Sequence, residues 1–372
     1  MMEAGFLAEK EVHNIRPLWE EVFAEDSKAF TEYYFGNKAE HNLVFTRMDG
    51  EDIVSMLHLT PYITGRMESV CYIVGVATKE AYRRQGLMAD MMKEALQFMR
   101  AEGQPFTFLM PANPAYYIPF DFTYVYDKPM WKISESVLPF RYLDAAAKYS
   151  AEFHLVVKEK GSLQIKATTV ADYQTVADFA NEMLKQNADC YMLRNANYYR
   201  VLQKELIAQN GNLFMIKRDG ALKGILAYVH EQDKPGVQEV ILDEDLSSWQ
   251  LVTSEEYKPA IMARILRPEA MLQSLRCTGT VDLLVELSDP ILTVNNGVYH
   301  LYSGEKGRLV CRKRNREVAD CKIDIDDLTA FVFGYKRAAD CFEISEACEG
   351  GEILGGLEQI NVLKRVFINE IV

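Results

Sequence analysis

One pattern occurs twice in this 372-residue chain, and it constrains the fold more than any other feature. Asn42-Leu43-Val44-Phe45-Thr46-Arg47-Met48-Asp49-Gly50 is an apolar strand entering an Asp-Gly turn, with residues 53–59 as the returning strand. Asn212-Leu213-Phe214-Met215-Ile216-Lys217-Arg218-Asp219-Gly220 repeats it, with residues 222–228 returning. Asp-Gly between two apolar runs signals a hairpin, because both residues tolerate the positive φ that a turn matching the strand twist demands. A further apolar strand follows each hairpin (72–76 and 237–242), and helical periodicity precedes each (12–34; 170–184 and 196–207). Two related α/β units result.

The length is two to three times that of a usual domain. Residues 134–139 break the pattern once, and Lys258-Pro259, followed by a run at 260–266 that reads as helical, breaks it again. Three domains are expected, at 1–135, 136–258 and 259–372. The last alternates short strands (281–287, 298–303, 308–312, 318–323) with a helix over 324–335 that Asp324 is placed to cap, an α+β unit without a nucleotide motif.

Composition removes several function classes. Hydrophobic residues at 49% and charged residues at 26% describe an ordinary globular chain. The seven cysteines are odd in number and never spaced C-x-x-C, and the six histidines have no ligand spacing, so neither a disulfide framework nor a metal site is expected. Asp324, Asp326 and Asp327 suit a helix N-terminus better than a cation loop. A net charge of −13 opposes nucleic-acid binding, and the basic run Arg312-Lys313-Arg314-Asn315-Arg316 reads as a solvated turn. The start lacks a basic region followed by an apolar one, and no 18-residue apolar stretch occurs, so a cytoplasmic protein without membrane association is expected.

The chemistry concentrates in Val74-Gly75-Val76-Ala77-Thr78-Lys79-Glu80-Ala81-Tyr82-Arg83-Arg84-Gln85-Gly86-Leu87-Met88-Ala89: an apolar strand, a polar loop, and a helix that opens at Gly86. Amides of the loop and first helical turn have no intrahelical acceptor, and the helix dipole adds about half a positive charge there, so a diphosphate fits. Gly86 lets it approach the backbone, and Arg83 and Arg84 add charge. Leu87, Met88, Met91, Met92, Ala95, Leu96 and Met99 recur at helical spacing as a core stripe. Downstream, strand 106–110 runs into a loop containing Asn113, Tyr116 and Tyr117, which by themselves read as core packing.

The Arg83-x-x-Gly86-x-Met88 run after Val74-Gly75-Val76 resembles the acetyl-CoA signature of GCN5-related N-acetyltransferases (GNAT), usually Q/R-x-x-G-x-G/A; Met88 departs from the last position and narrows the room near the pyrophosphate. The resemblance implies acetyl-CoA held by Val74, Gly75, Val76, Arg83, Arg84, Gln85, Gly86, Leu87, Met88, Ala89 and Asn113. It makes Tyr117, in Tyr117-x-x-Phe120-x-Phe122, the general acid for the leaving thiolate. The second unit has Val240-Ile241-Leu242-Asp243-Glu244-Asp245 where the signature belongs, so no cofactor is expected there. The three-part layout resembles the Eis-type (enhanced intracellular survival) acetyltransferases. That implies a mixed α+β fold: two GNAT-like α/β domains in tandem plus a C-terminal sterol-carrier-protein-like (SCP2-like) α+β domain. It further implies a homo-oligomer (trimer or hexamer), an amine acceptor such as an aminoglycoside, a polyamine or a lysine side chain, and the carboxylate of the last residue, Val372, as base. The apolar tail 366–372 suits insertion better than the alternative, a closing strand of the third domain. Two other readings are an acyl-CoA sensor without turnover, for which Met88 speaks, and a lipid-binding third domain.

Overall fold

In the computed structural model, which describes residues 3–7, 9–157, 160–231, 234–315, 318–346 and 348–370, both hairpins form. The first unit contains β1 (Glu3–Leu7), β2 (Leu43–Asp49), β3 (Asp52–Ile63), β4 (Ser69–Thr78), β5 (Phe106–Leu109) and β6 (Thr123–Pro129), with helices α1 (Arg16–Val22), α2 (Lys28–Asn37) and α3 (Leu87–Ala101). The turns differ by one position. Asp219 and Gly220 both have positive φ (50° and 79°) between paired Arg218 and Ala221, whereas Asp49 pairs with Asp52 and only Gly50 turns left-handed (φ 63°).

β1 to β4 form an antiparallel meander, and β5 joins β4 in parallel across α3. Six members of the α3 stripe are buried, and Met88 is half-buried against the same core. Fully burying such side chains contributes about 1.5–3 kcal/mol each.

β6 does not pair with β5. The strand Tyr257–Ile265 lies between them and pairs antiparallel with both. The run at 260–266 is therefore not a helix, and the expected domain boundary at 258/259 falls inside a strand of the first sheet. Ile261 to Ile265 are all within 1% of full burial, as a central strand covered on both faces must be. Such a strand shows a continuous apolar run that periodicity does not separate from a buried helix. One core consequently runs through the first and third units, with Phe106 edge-on to Phe333 at 5.1 Å.

The second unit is a five-stranded sheet in the order Lys234–Leu242, Ala221–Glu231, Asn212–Arg218, Gly161–Ala167, Glu152–Val157, with helices Tyr173–Asn187 and Ala196–Ala208 on one face. The third sheet orders Leu309–Arg314, Gly297–Ser303, Asp282–Ser288, Cys321–Asp324 and Glu343–Ile344, followed by the helix Ile325–Val332. Asp324 occupies that helix's N-cap but makes no side-chain capping bond, contrary to expectation; Asp326 and Asp327 in the first turn face the dipole instead. The third unit's interior leaves a void of about 10 Å³ among Leu272, Val285, Phe331 and Phe342, room for at most about one water. All seven cysteines are free, and no helix among the described residues is long and apolar enough to cross a membrane.

Candidate active site

β3 and β4 pair His58 with Val74 and Met56 with Ala77, so Gly75 and Val76 oppose the single residue Leu57 in a bulge. Gly75 has φ 59°, and a Cβ there would stand 2.8 Å from the Trp19 ring, so both conformation and space demand glycine. On its other side β4 pairs with β5 only at Cys71–Thr107 and Tyr72–Phe108. Beyond Tyr72 no further pair between β4 and β5 forms, so the Val74–Val76 backbone has no strand partner on that side among the described residues.

The loop after β4 is tied to the β2–β3 turn. Lys79 Nζ lies 2.7 Å from Asp52 Oδ1, and the Tyr82 hydroxyl donates to Asp49 Oδ2 at 2.8 Å. Arg83 Nε closes the loop on the Thr78 carbonyl at 3.1 Å, and Gln85 Nε2 donates to the Ala81 carbonyl at 3.2 Å. Arg84 holds φ 63°, a conformation that costs a non-glycine residue about 1 kcal/mol or more. Gly86 is the N-cap of α3, with φ 85°, no side chain to cap the first-turn amides, and open space where a Cβ would stand. Arg83, Arg84, Gln85 and Gly86 are exposed, while Leu87 is buried and Met88 and Ala89 are half-buried against the core. The arrangement fits a diphosphate: uncapped amides, a helix dipole and two arginines around an open glycine.

Tyr117 links the short helical turns Pro114–Tyr116 and Ile118–Phe120. Its ring is largely buried, edge-on to Phe122 at 6.2 Å, and burial pushes its pKa up to about 12. The phenol is therefore a neutral donor throughout the physiological range. Tyr72, on β4, lies within electrostatic reach of both Tyr117 and Glu370. Asn113 is exposed and its Oδ1 accepts from the Ala115 amide at 3.0 Å, so that oxygen caps the turn before Tyr117.

Val372 lies outside the described residues. The tail leading to it is packed against the second unit: Val366–Phe367 pair in parallel with Cys190–Tyr191, and Ile368, Asn369 and Glu370 are buried. They end at a cavity of about 480 Å³ between the first and second units. Sequence reasoning missed its polar wall, whose residues are scattered over four segments. Glu205 accepts from the Tyr33 hydroxyl (2.7 Å), Gln238 Nε2 (2.8 Å) and Lys38 Nζ (3.2 Å). Arg194 bridges Glu239 (2.9 Å) and Glu370 under the Tyr198 ring. Burial raises the Glu370 pKa against the opposing pull of Arg194, and among the described residues its Oε2 has no hydrogen-bond partner. Three carboxylates thus face two cations. Among the described residues, no three His, Cys, Asp or Glu side chains group as metal ligands.

Residues 4–125 match the acetyltransferase (GNAT) domain family, and residues 268–370 match the sterol carrier protein domain family. No curated protein matches the sequence. Among solved structures, a probable N-acyltransferase from Enterococcus faecalis V583 matches over 100% of both chains at 15% identity with a TM-score of 0.79. A GCN5-related N-acetyltransferase from Anabaena variabilis ATCC 29413 matches over 100% of both at 13% identity and 0.76. Eis1 from Mycobacterium abscessus does so over 100% of both at 10% identity and 0.73. The chain joins a GNAT acetyltransferase domain to a C-terminal sterol carrier protein domain, and as a whole it has the fold of the Eis-type acetyltransferases.

Proposed function

We propose that the protein transfers an acetyl group from acetyl-CoA to a primary amine directly, within a ternary complex. One observation carries this reading: pairing of β4 with β5 stops at Tyr72, just before the bulge at Gly75–Val76, and the loop that follows opens α3 at the uncapped Gly86; the C-terminal tail ends at a separate cavity walled by Glu205 and Glu370. The loop from Arg83 to Ala89 holds the diphosphate, and the Val74–Val76 backbone orients the thioester. The amine nitrogen attacks the acetyl carbon and the carbon–sulfur bond breaks. The electron pair stays on sulfur, which takes a proton from Tyr117, while the nitrogen's proton passes to the Val372 carboxylate. Alkyl amines have pKa values of about 10.4, so the acceptor arrives as a cation that Glu205 and Glu370 attract, and it gives one proton to water before the neutral nitrogen attacks; the proton it loses after attack is the one Val372 takes and returns to Tyr117. Aminoglycosides, polyamines and lysine side chains fit that description.

The test is CoA release with a panel of these amines. Tyr117→Phe is expected to lower kcat about 100-fold or more while acetyl-CoA still binds, and a chain lacking Val372 to lose most of its rate. An unchanged Tyr117→Phe rate removes the acid from the mechanism. Binding of acetyl-CoA with no turnover of any amine leaves a sensor.

A further inference from the structure

Tyr117 is tied to the third unit through the strand inserted between β5 and β6. Its carbonyl accepts from the Phe120 amide at 2.9 Å and from the Phe122 amide at 3.4 Å, so its position depends on the turn Ile118–Phe120 that follows it. That turn ends in Asp121, which has a left-handed φ of 59°. The Phe120 carbonyl accepts from Arg264 Nε at 2.8 Å. Arg264 belongs to the inserted strand Tyr257–Ile265 and is fully buried. Its other nitrogens reach the Ile265 carbonyl (3.1 Å), Asp121 Oδ2 (3.3 Å) and Asp289 Oδ1 (2.6 Å). Asp289, in the third unit, is itself fully buried and fixed by the Ile291 and Leu292 amides (3.1 and 2.7 Å) and by Asn295 Nδ2 (2.8 Å).

We infer that Arg264 is a positioning residue for Tyr117, and that through it the sterol carrier domain takes part in the transfer as the fixed end of a chain running Asp289, Arg264, Phe120 carbonyl, Tyr117. The inference rests on the reading of Tyr117 as proton donor. A guanidinium suits the task because its planar fork satisfies a carbonyl and two carboxylates at once, in fixed directions; an ammonium does not. Two carboxylates, Asp121 and Asp289, face the buried guanidinium and offset its burial, so the node persists as a unit. A displacement of the turn moves the phenol away from the thiolate, and misplacing a reacting group by about 1 Å costs on the order of 100-fold in rate.

The experiment is a double-mutant cycle on the full chain between Arg264→Lys and Tyr117→Phe, read as kcat and KM for acetyl-CoA with the best amine of the panel. Arg264→Lys is expected to lower kcat roughly 10- to 100-fold, with KM for acetyl-CoA and the rate in the Tyr117→Phe background each changed by no more than roughly twofold. Should Arg264→Lys lower the rate equally in both backgrounds, or raise KM as much as it lowers kcat, Arg264 serves the fold and the inference is overturned while Tyr117 stands. Should Tyr117→Phe turn over at the wild-type rate, or the wild type turn over no amine, the underlying reading fails and takes the inference with it. If Arg264→Lys does not fold, Asp121→Asn takes its place in the same cycle, with the same outcomes deciding; asparagine keeps the left-handed turn and weakens only one partner of Arg264.

Discussion

The strand ending at Thr78 and the strand ending at Leu242 are counterparts. Each ends an antiparallel run of strands interrupted by a helix pair, and each bulges against the returning strand of its hairpin, at Gly75–Val76 in one case and at Gln238 in the other. What lies beyond them differs. The first meander continues through α3 to β5, which pairs with β4 only up to Tyr72 and so leaves the bulge without a strand partner on that side. In the second meander, Lys234–Leu242 is the edge of the sheet, and the chain's own tail takes the place of a ligand: Asn369 Nδ2 donates to the Gln238 carbonyl at 2.8 Å, and Glu370 joins Glu239 on Arg194. The helix starts differ in the same sense. Gly86 leaves the first turn of α3 uncapped, whereas Asp243 caps the short helix Glu244–Trp249 by accepting from the Asp245 amide at 2.9 Å, with Lys223 Nζ 3.0 Å from its carboxylate. The backbone amide and Lys223 hold the Asp243 carboxyl below the usual range, so it is an anion already in place. Two units can therefore share a hairpin and a bulge while in one the strand beside the bulge is met by the chain's own tail and in the other it is left without a strand partner.

The sharpest way to break this comparison is to give the first unit the second's solution. Gly86→Asp sets a carboxylate over the α3 amides where the diphosphate belongs. Losing those charge-assisted contacts and adding repulsion is expected to weaken acetyl-CoA binding about 100-fold, or about 2.7 kcal/mol. The left-handed φ of 85° adds strain that asparagine would share. Calorimetric titration with CoA on Gly86→Asp and Gly86→Asn separates the two: if both bind alike, the backbone conformation rather than the open anion site controls affinity.

How far the sequence disclosed this arrangement depended on range. Asp49-Gly50 and Asp219-Gly220, the α3 stripe from Leu87 to Met99, and the loop closed at Gly86 are signalled by neighbours in the chain, and they fold as read. Arg264 and its strand were misread because residues 261–265 are buried on both faces, which erases the alternation that identifies a strand. The cavity wall was invisible for another reason. Glu205, Arg194 and Glu370 meet only because the tail crosses from the third unit to the second, and no local spacing encodes a contact made over 176 residues. Asn113 and Asp324 illustrate a third limit: a short polar side chain beside a helix start suits several partners, and only geometry selects among them.

A smaller effect separates the two bulges by pH. His58 and Tyr228 occupy matching places beside them, paired with Val74 and Val237. His58 is fully buried, its Nδ1 lies 2.9 Å from the Tyr34 hydroxyl, and burial lowers its pKa to about 3. A depressed histidine pKa means the unfolded chain takes up a proton that the folded chain refuses. Stability from this group is therefore present above pH ~6.5 and lost as pH falls through the window between the two values, reaching about 2 kcal/mol by pH ~5. Melting curves of the wild type and His58→Gln over that range are expected to differ in slope; parallel slopes would mean that the imidazole is protonated without cost in the fold.

The smallest predicted effect sharpens the comparison from the other side. Asp243→Ala removes the cap of Glu244–Trp249 and leaves Lys223 with Asp245, 2.7 Å from its Nζ. Loss of an N-cap costs about 1 kcal/mol, so the variant should melt slightly below the wild type, with acetyl-CoA binding and turnover untouched because β4 belongs to another sheet. It should not acquire a second CoA site either. Stoichiometry distinguishes this account from one in which the carboxylate alone blocks a latent site: a second equivalent of CoA bound by Asp243→Ala would mean that the second unit retains a cradle. One equivalent would mean that the short helix, with no arginine loop and no fifth strand parting from its edge, lacks the parts as well as the vacancy.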